Sequence, residues 1–177
     1  SKYFLKTKTK NNGILINNFV STSLTNWISF RKIDFDIAKK KIESMDQRFE
    51  NLKNIQNIFL HCFYKSQKTE LLFKDLSSGK AIDFSRYNYF YANYLVDMGK
   101  IDQAKEIINS SLKLHPRNLL LNQYKLNLKS GKIENNFDCQ NLSHIIAEIF
   151  YITANALSSQ NIFTFFNFYL NLYKYLN

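Results

Sequence analysis

The stretch YNYFYANYLVDMGKIDQAKEIINSSLKLHPRN, residues 87–118, constrains the fold of this chain more than any other segment. Apolar residues recur every three or four positions on both sides of Gly99-Lys100, which predicts two amphipathic helices joined by a tight turn. A glycine at the turn can take the left-handed conformation that a side chain resists. Pro116 cannot continue a helix and marks the end of the second one. Ala92 and Ala104 are small enough to let the two backbones approach closely. The segment is therefore a helical hairpin, a unit that cannot bury its apolar faces alone and needs neighbours stacked against it.

Composition agrees. The chain of 177 residues has one proline and four glycines, too few for the many tight turns of a β-sandwich or barrel. It has two valines, Val20 and Val96, which again disfavours sheet. Hydrophobic residues make up 45%, enough for a packed core. Residues 1–12 are polar and basic and read as a lead-in to a single helical domain over 13–177. Within it, helical spacing recurs over 14–30, with Ile14, Phe19, Leu24, Trp27, Ile28 and Phe30 on a broad apolar stripe. It recurs again over 35–45, where Asp34 is the expected N-cap, and over 47–64 with Phe49, Leu52, Ile55, Phe59 and Phe63. A short helix near Thr69–Leu76 precedes the hairpin, and Asp83 or Ser85 can cap the hairpin's first helix. Helices near Leu119–Leu128, 142–158 and 162–176 follow, with 130–141 the least regular segment. The sum is an all-α chain of about nine helices, paired at spacings of roughly 30–40 residues, near the period of helical solenoids.

Residues 85–118 resemble a tetratricopeptide repeat. Tyr91-Ala92 stand where the first helix carries a large residue beside a small one, Leu95 lies one turn later, and Gly99 ends that helix. Ala104 is the small residue at the crossing, Ile108 fills the second helix and Pro116 closes the unit. Asn88 occupies the usual tryptophan-like position, and Ser111 replaces a frequent alanine. DFDIAKKKIESM, residues 34–45, is similar to a second repeat helix with Ala38 at the crossing. Residues 142–161 and the helix after them are similar to a degenerate final pair. AEIFYITANAL, residues 147–157, resembles a region of larger bacterial tetratricopeptide proteins. The resemblance implies a right-handed solenoid of helical hairpins and a non-enzymatic scaffold that binds a protein or peptide. In such arrays the first helices line a concave groove. Here that implies Arg86, Tyr89 and Asn93 on the outward side of the hairpin's first helix, with Gln123 and Asn127 at similar positions two helices later. Asn93 falls where repeats that clamp carboxylate-ended peptides place an asparagine. Tyr89 stands where that clamp uses lysine, so no carboxylate clamp is expected.

No catalytic, cofactor or metal constellation is expected from the residues. There is no phosphate loop, dinucleotide fingerprint or nucleophile elbow. His61 adjoins Cys62 on an apolar helix and reads as a core histidine. His115 precedes Pro116 at the repeat junction. His144 lies five residues after Cys139 with no further ligand cluster, which does not make a zinc site. Cys62 and Cys139 read as two isolated buried thiols, with pairing in an oxidising compartment left open.

The formal net charge is +10, and lysine supplies most of it, since only Arg31, Arg48, Arg86 and Arg117 are arginines. The main reading is a solvated basic surface. The alternative is a basic helical module that binds nucleic acid or an anionic membrane surface. The run from Ile14 is interrupted by Asn17, Asn18 and Asn26 and is a poor membrane span. NIFTFFNFYLNLYKYL, residues 161–176, is apolar over most of its circumference, which predicts burial between neighbours. Continuation through this helix into a further repeat, or a dimer contact on it, are both expectations of that pattern. Its lone lysine, Lys174, gives it no basic face for a membrane.

Overall fold

A computed structural model describes residues 12–78, 85–132, 137–158 and 163–176. All the regular structure among them is helical, and the elements form two compact units. The first unit comprises Ser1–Tyr64 with Gln140–Asn177, and the second comprises Lys65–Cys139. The lead-in at 1–11 and the candidate cap Asp83 lie outside the described residues.

The first unit contains α1 (Asn12–Phe30), α2 (Phe35–Glu43), a single 3₁₀ turn (Gln47–Phe49), α3 (Glu50–Phe63), α8 (Leu142–Ser158) and α9 (Phe163–Leu176). α1 buries Ile16, Phe19, Val20, Ser23, Trp27 and Phe30, one stripe at helical spacing. α2 begins where the Asp34 carboxylate accepts from the Ile37 N–H at 2.9 Å, the expected cap. It inserts Ala38 and Ile42 into the core. α3 contributes Leu52, Ile55, Phe59 and Leu60. The centre of the unit is Trp27, fully buried, with its ring edge-on to Phe30 at 5.0 Å and to Phe63 at 5.8 Å. Its indole N–H donates to Gln56 Oε1 at 3.0 Å, and Gln56 Nε2 donates to Ser23 Oγ at 3.3 Å. A buried polar group is tolerated when it is paired, and this short chain of bonds pairs all three.

Sequential neighbours pack in this unit, α1 on α2 and α2 on α3, but α8 packs on α1. The C-terminal part of the chain thus returns to its beginning. α9 lies along α8. The expected burial of α9 between neighbours is not met, because Phe168 is 56% and Tyr175 88% exposed. One packed neighbour covers only one face of a helix, here through Phe150–Tyr169 and Tyr151–Tyr173.

The 3₁₀ turn carries an exposed titrating pair. Asp46 accepts from the Arg48 backbone N–H at 2.9 Å and from its guanidinium. The bond to the Arg48 side chain leads the causes that lower the Asp46 carboxyl from 3.8 to about 2. A folded pKa below the unfolded one contributes stability that is present above about 3.8 and lost as pH falls through about 2. In Asp46→Asn the loss of thermal stability between those pH values is expected to be shallower than in the parent. Equal slopes in the two melting series would show that the pair does not form in solution.

The second unit contains α4 (Thr69–Ser78), α5 (Ser85–Asp97), α6 (Ile101–Leu114) and α7 (Leu119–Ser130). Gly99 ends the α5 hairpin arm at φ +75° and Gly131 ends α7 at φ +70°, the left-handed conformation glycine adopts without cost. α5 packs on α4, α6 and α7. Ala92, Leu95, Ala104, Ile108 and Leu121 are fully buried where these helices meet.

Candidate functional site

The hairpin at α5–α6 positions every side chain singled out as a binding residue on its first helix, and α7 positions the other two. Tyr89 and Asn93, expected on the outward side of α5, are instead buried, at 4% and 1% exposed. The physical reason is that α7 lies against this face of α5. The Tyr89 ring meets the Tyr124 ring edge-on at 4.9 Å. One turn further along α5, Asn93 Nδ2 donates to the Tyr89 carbonyl oxygen at 3.0 Å. Only the amide nitrogen can donate to a carbonyl, so this bond fixes the amide and leaves Oδ1 on the other side. Asn93 Oδ1 and the Tyr124 hydroxyl are both buried, and neither has a hydrogen-bond partner. Burial, with Tyr89 and then Asp97 adding to it, pushes the Tyr124 phenol far above its usual range. It therefore stays protonated, able both to donate and to accept.

Arg86 is half-buried, its guanidinium carbon 5.0 Å from the centre of the Phe90 ring, and Phe90 stacks on Phe137 at 3.8 Å. Gln123 is exposed and Asn127 half-buried, and Gln123 Nε2 donates to Asn127 Oδ1 at 3.0 Å. The structure thus brings Tyr89 and Asn93 together, and separately Gln123 and Asn127. The partner of Tyr89 on α7 is Tyr124, which the sequence reading did not single out. A signal for it existed, since Leu121, Tyr124 and Leu128 share the apolar face of α7.

Asn88 and Ser111 meet between α5 and α6, although Asn88 Oδ1 is buried without a partner. Asn88 Nδ2 donates to Ser111 Oγ at 3.1 Å, joining α5 to α6 by a hydrogen bond. Asn118 caps α7 by accepting from the Leu121 N–H at 3.1 Å, and its Nδ2 donates to Ser85 Oγ at 3.1 Å. That bond ties the start of α7 to the start of α5.

His61 is buried, 4.8 Å edge-on from Phe35. Cys62 and Cys139, read as isolated thiols, are both disulfide-bonded and almost fully buried. A disulfide sulfur carries no thiolate, so Cys62 beside His61 is not an activated nucleophile in this form. Among the described residues no group of three or more His, Cys, Asp or Glu could hold a metal ion. No described helix is long and apolar enough to cross a membrane. Compared with protein-family models, curated proteins and solved structures, the chain matches none.

Proposed function

We propose that this chain is a non-enzymatic helical-hairpin module of the tetratricopeptide-repeat type that binds an extended segment of a protein or peptide. The observation that carries the reading is the α5–α7 seam, where Asn93 Oδ1 and the Tyr124 hydroxyl are buried without partners. Buried polar groups are normally paired, and an unpaired one costs roughly 1–3 kcal/mol. Such a cost is expected where the pairing is left to a ligand. A peptide backbone offers both complements, an N–H for Asn93 and a carbonyl for Tyr124. Packing of α5 on both α6 and α7 supports the solenoid reading for this unit. Exposed Gln123 and half-buried Arg86 would form the rim.

Asn93→Leu separates a binding role from a structural one. Asn93→Leu removes the unpaired Oδ1 acceptor, which favours the fold, and also the Nδ2 bond to the Tyr89 carbonyl oxygen, which opposes it. The two nearly offset, so the variant is expected to melt within a few degrees of the parent. Its affinity for peptides selected on an array against the parent is expected to fall about tenfold, the equivalent of one lost hydrogen bond. Unchanged affinity in Asn93→Leu, Arg86→Ala and Gln123→Ala would remove the groove reading. A clear drop in melting temperature for Asn93→Leu would show that the amide serves the fold.

A further inference from the structure

The corner where α6 ends and α7 begins is both apolar and basic, and the α5–α7 seam uses neither property. Leu114 is 78% exposed, Leu119 85% and Leu126 58%. A single exposed leucine needs no explanation. These three lie within one short stretch of chain, and Leu119 and Leu126 are two turns apart on the same face of α7. The opposite face, with Leu121, Tyr124 and Leu128, already fills the core. The exposed leucines therefore contribute nothing to folding that their burial could explain.

Along the chain, the charged residues beside them have one sign. Between Glu106 and Glu134 the sequence has no acidic residue, while Lys113, Arg117 and Lys129 are all exposed. Neither the last turn of α6 nor the first turn of α7 brings an acid to the corner: the former carries Lys113, and α7 starts without one. The leucines at 114 and 119 flank the Pro116-Arg117 turn and stand largely exposed. A protein partner would have to supply a matching surface. A bilayer interface asks for no shape, takes exposed leucines into the acyl boundary, and lets lysine and arginine stems reach up to its phosphates. We propose that this α6–α7 corner, with the exposed side of α7 as far as Lys129 in its last turn, is a peripheral docking surface for an anionic membrane. Leu114, Leu119 and Leu126 would enter the interface, and Lys113, Arg117 and Lys129 would meet the headgroups. This is separate from the α5–α7 seam, and neither depends on the other.

The test is sedimentation of the full chain with vesicles of phosphatidylcholine alone and of phosphatidylcholine with about one-third phosphatidylserine. Binding is expected to the second vesicle only, and to weaken as salt rises. Replacing Lys113, Arg117 and Lys129 by glutamine is expected to weaken it by roughly fivefold per cation. Leu114→Ser, Leu119→Ser and Leu126→Ser together are expected to lower it by about tenfold or more without changing the charge or the melting temperature. A control with Lys39, Lys40 and Lys41 of α2 replaced by glutamine removes the same charge elsewhere and is expected to lose less than about twofold. No binding to the anionic vesicle at low salt would overturn the proposal. So would equal losses in the control and corner variants, which would indicate net charge alone. Leucine variants that keep full binding to both the vesicle and soluble polyglutamate would overturn it in favour of an acidic protein partner.

Discussion

Replacing Trp27 with alanine is expected to cost about 3–5 kcal/mol, the largest effect of any single substitution in the first unit. Trp27 is fully buried, contacts the rings of Phe30 and Phe63, and anchors a hydrogen bond to Gln56. Removing it leaves a cavity that α1 and α3 can close only in part, and it strands the Gln56 carbonyl. Trp27→Phe fills part of the space but keeps the stranded carbonyl, so an intermediate loss is expected. Gln56→Leu removes the acceptor and leaves the indole N–H and Ser23 unpaired, for about 1–3 kcal/mol. Denaturant melts of the three variants and of Trp27→Phe/Gln56→Leu form a double-mutant cycle. The double variant should lose less than the sum of its parts, because the second change removes a partner already orphaned. Strict additivity would mean that the Trp27–Gln56 bond contributes nothing.

Reduction is expected to have an effect of similar size. Both cysteines are disulfide-bonded and buried, Cys62 at 2% and Cys139 at 5% exposed. Loss of a native disulfide costs about 2–5 kcal/mol. The melting temperature should therefore fall by about 5–15 °C when strong reductant is added. Cys62→Ser with Cys139→Ser should reproduce the reduced value and no longer respond to reductant. Alkylation of the denatured protein should add nothing before reduction and two groups after it. Two groups before reduction would show that the cysteines are thiols in solution.

Much of the local structure was legible in the sequence. Helix existence follows from apolar spacing, a property of a few neighbouring residues. The Asp34 cap and the Gly99 turn follow from equally local chemistry. Gly131, which ends α7 in the left-handed conformation, lay just beyond the expected end of that helix. The departures Asn88 and Ser111 were visible as oddities one by one. Their mutual hydrogen bond was not, since it joins residues on two helices.

The candidate site was legible only in outline. Arg86, Tyr89 and Asn93 were placed on α5 by register, but register does not say which face a neighbouring helix will cover. The neighbour is α7, and Tyr124 on it turns Tyr89 and Asn93 from surface into seam. The same ignorance of partners hid the oxidised state of the cysteines. It also hid the single-sided packing of α9, whose aromatic content alone suggested burial on every side.

By itself, then, the sequence determined that this chain is helical, where the helices turn, and which stripe of each is apolar. Tertiary structure decided which stripes meet. α8 packs on α1 across more than a hundred residues of chain, and α5 packs on α4, α6 and α7 at once. Periodicity is fixed by backbone geometry within a few turns. The choice of partner depends on how the volumes of whole faces fit, and no short window of residues contains that information.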